Sequence, residues 1–251
     1  MNNEKIPYTL CIPTAYGPML INRHDINQSN ALIKTGFALD KDEIEFVKAV
    51  CANSGDNCVA LDIGANFGVY SIAMGHELNL KGGKVYAFEP QRILANMISG
   101  SIALNSLENV FIHQVCVGND DAMVELPNFD YSQPLNFGSI EFGEEQKEVL
   151  NQVRRKSNEL VSQVRIDDFQ FTSVCFIKID VEGMEERVLY GANNTIKTYL
   201  PICLVEYQKS KRELLLNYFK DLGYRVWDWN YNYLCIHPKD AIHYKIGLLE
   251  I

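Results

Sequence analysis

The sequence predicts an α/β fold: a seven-stranded, mostly parallel sheet with helices on both faces, closed by an antiparallel hairpin near the C-terminus. Three features of the chain carry that expectation. From residue 59 onward short apolar runs alternate with helix-like segments; four of the runs end in a carboxylate, Asp62, Glu89, Asp180 and Glu206; and the first run passes through glycines straight into a helical pattern. With 251 residues and 47% hydrophobic content, the chain suits one domain with a full core.

Residues 1–40 mix short apolar pieces with the turn formers Pro7, Pro13, Gly17, Pro18 and Gly36, and read as an N-terminal cap of strands or irregular chain able to form part of a pocket. Asp40 opens a helix, with Asp42, Glu43 and Glu45 near its start and Ile44, Val47 and Val50 as its apolar stripe. Val59 to Ile63 is the first core strand, and a turn leads into a helix from Phe67 to Leu78. A strand at Lys84 to Phe88, a helix at Gln91 to Leu104 and a strand at Val110 to Val115 complete a β-α-β-α-β unit. Such alternation implies parallel pairing with right-handed crossovers.

The regularity breaks over residues 118–170, which read as an insertion beside the site. Asp120 to Leu126 is expected as an extra strand, Pro127 to Gly143 as a loop, and Glu144 to Val164 as a long helix. The helix is inferred from Val149, Leu150, Val153, Leu160, Val161 and Val164, which fall at helical spacing. Order returns with a strand at Val174 to Ile179, a turn and helix through VEGMEERVLYGA, and a strand at Ile202 to Val205. Lys211 to Leu222 is an amphipathic helix stopped by Gly223, and Tyr224 to Trp229 pairs with Tyr233 to His237 as the closing hairpin.

Charge and cysteine usage exclude several classes. A net charge of −9 and a pI near 5.1 leave no broad basic surface for phosphates, so no nucleic-acid partner is expected. The basic cluster Arg154 to Lys156 lies among glutamates and reads as a solvated helix face. No run is long enough to cross a membrane and the N-terminus lacks signal-peptide character, so a cytoplasmic protein without a transmembrane segment is expected. Seven cysteines without a C-x-x-C pair read as buried free thiols in a reducing compartment. No metal ligand set is assigned.

In an open parallel sheet ligands bind outside the carboxyl ends of the strands, so Asp62, Glu89, Asp180 and Glu206 converge on one rim. The turn after the first strand carries Gly64 and Gly68, where a missing Cβ permits a sharp turn and close approach of a ligand. A dinucleotide fingerprint would place glycines where Asn66 and Val69 stand, which counts against NAD. The pattern D-x-G-x-N-x-G instead resembles the first motif of class I (Rossmann-like) S-adenosylmethionine methyltransferases. Glu89 is placed to accept two ribose hydroxyls, Asp62 to lie near the methionine end, and the chain from Gln114 to Val117 to pass along an adenine.

Successive segments LDIGANFGVYS, VYAFEP, LNSLENV, VGND, LNFGSI, VRIDDF, FIKIDVEGMEERVLYGA and LVEY resemble the FkbM family of S-adenosylmethionine-dependent O-methyltransferases across residues 59–207. The resemblance implies S-adenosyl-L-methionine as cofactor and a hydroxyl acceptor on a carbohydrate or natural product. It aligns Asp62, Gly64, Asn66, Gly68, Glu89 and Asn105 with the family's cofactor motifs, and Ala65, Pro90, Val117 and Asp180 complete the expected cofactor-binding set. Asn136, Gly138, Ser139 and Glu206 are the expected acceptor residues. Because an alcohol loses its proton as the new bond forms, Asp180 and Glu182 are the candidate catalytic groups. His24 and His237 are further candidate bases. The alternatives are an N-methyltransferase acting on a small amine or protein, and a nucleotide-binding protein without catalysis. The expected partner is a small-molecule or carbohydrate acceptor, with homo-oligomerisation left open.

Overall fold

The computed structural model describes residues 6–141, 152, 159–240 and 247–251. Arg154 to Lys156 and most of the helix expected over Glu144 to Val164 lie outside them. In chain order the elements are β1 (Thr9–Thr14), β2 (Gly17–Asn22), α1 (Gln28–Thr35), α2 (Lys41–Asn53), β3 (Val59–Ile63), α3 (Val69–Asn79), β4 (Lys84–Phe88), α4 (Arg92–Leu104), β5 (Val110–His113), β6 (Cys116–Val117) and β7 (Ala122–Glu125). They continue with β8 (Leu160–Val164), β9 (Val174–Ile179), α5 (Glu185–Gly191), α6 (Asn193–Tyr199), β10 (Ile202–Glu206), α7 (Arg212–Asp221), β11 (Arg225–Trp229), β12 (Asn232–Ile236) and β13 (Leu249–Glu250).

The main sheet runs β13-β11-β12-β10-β9-β3-β4-β5. It holds eight strands where seven were expected, because the short β13 adds antiparallel to β11 at the edge. β5, β4, β3, β9 and β10 are parallel, and β12 and β11 return antiparallel. The parallel strands are buried on both sides, so alternate side chains enter different cores. Ala60, Phe176, Ile202 and Leu204 join Ile44, Val47, Ile72, Met74, Leu94 and Met97 of α2, α3 and α4 on one face. Leu61, Ile63, Ile177, Ile179, Cys203 and Val205 join Val188, Ile196, Leu215 and Phe219 of α5, α6 and α7 on the other.

Three expectations need correction. Leu160 to Val164 is strand β8, which pairs parallel with β6 and antiparallel with β7 in a separate three-stranded sheet. Val161 and Gln163 are buried while Leu160 and Ser162 are exposed, a period of two that the apolar count mistook for part of a helical stripe. Within residues 1–40, β1 and β2 form a hairpin, and α1 is a helix that the scattered turn formers concealed. Cys58 and Cys175 are bonded to each other rather than free; Cys58 directly precedes β3 and Cys175 lies in the neighbouring β9, 117 residues away in sequence. The other five cysteines are free thiols.

The turn after β3 brings two strand ends into contact. Gly64 has φ 86°, and a Cβ on it would lie 1.8 Å from the Asp180 carbonyl oxygen. Gly64→Ala is therefore expected to lower stability by more than ~2 kcal/mol in denaturant unfolding, because left-handed strain adds to a backbone clash. Gly36→Ala is the control: Gly36 has φ 76° with nothing within 4 Å of the added carbon. It should lose only the left-handed term of ~1–2 kcal/mol.

Candidate active site

A cavity of about 470 Å³ opens over the carboxyl ends of β10, β9, β3 and β4. Gly64, Ala65, Asn66, Glu89, Pro90, Val117, Asp180, Glu182, Asn136, Gly138, Ser139 and Glu206 all line it. Asp62, Gly68, Asn105, His24 and His237 do not.

The turn is shaped for its task. Asn66 sits at φ 52°, the left-handed region that asparagine tolerates better than most residues, and Gly64 and Gly68 flank it at φ 86° and 80°. Its backbone N–H donates to Glu89 Oε2 at 2.9 Å, and the Gln91 N–H donates to Glu89 Oε1 at 2.8 Å. These two bonds fix the Glu89 carboxylate, and each oxygen retains a lone pair for a further donor. Burial pushes the Glu89 carboxyl up to about 8. Asn66 Oδ1 is buried with no protein partner, and its Nδ2 lies where a Cβ on Gly138 would come within 2.7 Å.

Asp62 is wholly buried behind the cavity wall rather than at its surface. Its Oδ2 accepts from Ser71 Oγ at 2.5 Å, its Oδ1 has no partner, and burial raises its pKa. In register it stands opposite Lys178, whose Nζ donates to Asp180 Oδ2 at 2.9 Å and lies 4.9 Å from the Tyr70 ring centroid. Gly68 caps the N-terminus of α3 and packs on Ile98. Asn105 is at the C-terminal end of α4, where Nδ2 donates to Pro18 O and Ser101 O, both at 2.8 Å. A helix returning from the rim ends at the far edge of the sheet, so Asn105 holds the β1–β2 hairpin and does not reach the cofactor end.

The NFGS side of the cavity is assembled from three stretches of chain. Ile26 N donates to Leu135 O and Leu135 N to His24 O, joining the N-terminal segment to the insertion. The buried Asp25 accepts from Ser29 N at 2.6 Å and Phe137 N at 3.2 Å, so one carboxylate holds α1 and the NFGS turn together. Gln91 Nε2 donates to Phe137 O at 2.8 Å from the strand side. The segment thereby contributes Asn27, Gln28, Leu39 and Asp40 to the cavity wall.

Beyond the end of β9, Glu182 at φ 58° and Gly183 at φ 100° form a tight turn. Glu185 holds that turn by accepting from Val181 N at 3.0 Å and Gly183 N at 3.1 Å. Lys209 Nζ lies 2.5 Å from Glu182 Oε2 and donates to Ser139 O at 3.3 Å. Burial, then the charge of Asp180, pushes Glu182 up to about 8. The same two causes take Glu206 to about 9, and its Oε2 is buried without a partner.

Residue-by-residue reading left Tyr70, Gln91, Lys209, Asn230 and Tyr231 of this wall unassigned. Gln91 and Lys209 had a local signal, since each closely follows a rim carboxylate in sequence, Glu89 and Glu206. Asn230 and Tyr231 had none, because the hairpin turn reaches the rim only through the antiparallel return of β12 beside β10.

The fold and rim define a class I methyltransferase-type domain. The family model for the methyltransferase FkbM domain matches residues 62–226, and the chain belongs to that family. Family membership makes S-adenosyl-L-methionine its cofactor. Among solved structures, the chain is similar to a methyltransferase FkbM from Methylobacillus flagellatus KT at 17% identity and a TM-score of 0.51, with 81% of this chain and 44% of that one covered. The chain thus spans less than half the length of that relative. More distant likenesses are a precorrin-6y C5,15-methyltransferase from Geobacter metallireducens GS-15 (14% identity, 75% and 74% covered, TM-score 0.43) and an rRNA methylase from Streptococcus thermophilus (12% identity, 79% and 96% covered, TM-score 0.45). No curated protein matches the sequence. No helix among the described residues is long and apolar enough to cross a membrane.

The residues present fit the cofactor. Glu89 offers oxygens for ribose hydroxyls, Phe88, Val115 and Val117 offer apolar surface for a purine, and the unpartnered Asn66 Oδ1 is an acceptor for a polar hydrogen. The raised carboxyls also set a pH dependence. Glu89, Glu182 and Glu206 stand at about 8, 8 and 9 against 4.5 for an ordinary glutamate, so between those limits the folded state holds more protons than the unfolded one. Their contribution to stability is intact below the lower limit and is lost as pH rises through the upper ones. The melting temperature of the ligand-free protein should fall from about pH 5 to about pH 9, and Glu206→Gln should flatten that slope.

Proposed function

We propose that the chain transfers a methyl group from S-adenosyl-L-methionine to a hydroxyl of a sugar, glycan precursor or natural product. The observation that carries this reading is the placement of three carboxylates, from two strand ends, on one cavity. Glu89 stands at the end of β4, and Asp180 and Glu182 stand at the end of β9, with β3 and its glycine turn between them. Glu89 would hold the ribose of the cofactor, and Asp180 would lie toward the end that carries its methyl group. When bound, the cofactor supplies an electrophilic methyl group on a cationic sulfur.

The protein's part is positioning, exclusion of water and handling one proton. The bound cofactor would supply the methyl group to the acceptor oxygen, and the Glu182 carboxylate would receive the proton that the hydroxyl gives up. Glu182 ionises more readily beside a cation, so occupation of the donor site prepares it as a base. Lys209 holds Glu182 in place, and Asn136 and Ser139 are set toward the acceptor, the Asn136 Nδ2 donating to Ser139 Oγ at 2.6 Å. Glu206, with its unpartnered Oε2, receives a second acceptor hydroxyl. The excess of carboxylates around the cavity favours a neutral or cationic acceptor over a phosphorylated one, in keeping with a substrate that is not nucleic acid.

Incubation with the cofactor and a panel of sugars, polyols and amines, followed by mass analysis of products, tests this reading. A gain of one methyl group on a hydroxyl is the expected result; methylation confined to amines would redirect it. Glu182→Gln should lower turnover by about 100-fold or more while leaving affinity for S-adenosylhomocysteine unchanged. Asp180→Asn should reduce both, because Asp180 faces the donor as well as the acceptor. Unchanged turnover in Glu182→Gln removes it as the base.

A further inference from the structure

The cofactor carries an amino-acid end with a carboxylate as well as an ammonium group, and a cavity rich in carboxylates is poorly suited to the former. Two cationic side chains line the cavity, Lys178 and Lys209. Lys209 is engaged at the acceptor end with Glu182 and Ser139 O. Lys178 is on β9, directly across from Asp62 on β3, and both point to the sheet face covered by α2 and α3. Tyr70, from the first turn of α3, places its ring against the ammonium.

On this geometry, and on the reading of the cavity as the cofactor site, we infer that Lys178 binds the α-carboxylate of the methyl donor while Asp180 takes its α-ammonium. Lys178 Nζ and Asp180 Oδ2 are 2.9 Å apart, so they present opposite charges side by side, the complement of an amino-acid zwitterion. A lysine ammonium has three N–H donors, and one is given to Asp180. The aromatic face of Tyr70 supports the charge without using an acceptor lone pair. Lys178 is also 8% exposed at its side chain, so water offers a bound carboxylate little competition there. Burial works against the charged lysine, but Asp180 first and then Asp62, wholly buried beside it in register, outweigh that effect and raise its pKa. Asp62 is thereby a positioning residue that acts through Lys178, which explains a carboxylate in the glycine motif that does not itself reach the cavity surface.

The test uses calorimetry on the full chain with three probes: S-adenosylhomocysteine, its decarboxylated analogue, and 5′-methylthioadenosine, which lacks the whole amino-acid end. The wild type should bind S-adenosylhomocysteine about tenfold or more tightly than the decarboxylated analogue, as expected of a charge-assisted hydrogen bond. Lys178→Met should lose that preference and weaken S-adenosylhomocysteine by a similar factor, leaving methylthioadenosine unchanged. Lys178→Arg should keep part of the preference. Equal binding of the first two probes by the wild type overturns the assignment, as does a Met variant that weakens all three probes alike. If Lys178→Met fails to fold, with Asp62 and Asp180 left uncompensated, the wild-type comparison decides alone. Failure of the wild type to bind any probe overturns the cofactor reading itself, whereas binding without preference for the carboxylate overturns only the role of Lys178.

Discussion

The site depends on how closely the turn after β3 approaches the end of β9. Gly64 has no side chain at a point where a Cβ would lie 1.8 Å from the Asp180 carbonyl oxygen. Asp180 N in turn donates to Ile63 O at 3.0 Å, so the two strand ends are hydrogen-bonded to each other at the rim. This contact sets Asp180 beside the glycine turn and keeps Asp62 in register with Lys178. Any larger residue at Gly64 would push apart the groups that must meet a single ligand.

Around that contact, polar groups are arranged in two sets of opposite character. Glu89 is secured by two backbone N–H donors and keeps free lone pairs toward the cavity. Glu182 and Glu206 carry raised pKa values because they are buried near Asp180. Carboxyl groups held in this way resist ionising in an empty site and ionise more readily when a cation enters it. The same crowding that costs stability at high pH leaves the cavity wall acidic, so a cation entering it would favour ionisation of these groups. Lys178 and Lys209 sit at separate places within this acidic wall, one among Asp62, Asp180 and Tyr70, the other against Glu182 and the NFGS turn.

The cavity wall around the NFGS turn is built from parts that are distant in sequence. Asp25, Gln91 and Lys209 each hold the segment 135–139 from a different side, through Phe137 N, Phe137 O and Ser139 O. Polar side chains bonded to backbone groups are well suited to this, since they satisfy an irregular loop that has no sheet or helix to pair with. Changes in the N-terminal segment therefore act on this wall through Asp25.

The sequence by itself determined the alternating α/β order, the four carboxylates at strand ends and the glycine turn, because each is a local matter of period, burial and backbone freedom. It also marked Asn66, whose left-handed φ of 52° is a property that asparagine and glycine share. Only the tertiary structure decided which of these residues face the ligand. Asp62 turned out to lie beneath the surface and Asn105 at the opposite end of α4, since burial depth and helix direction are set by packing between elements rather than by spacing along the chain. The strand at Leu160–Val164, the Cys58–Cys175 bond and the joining of residues 24–29 to 135–137 likewise required partners far away in sequence. Such pairings follow from how the whole core closes, and no short stretch of sequence carries a signal for them.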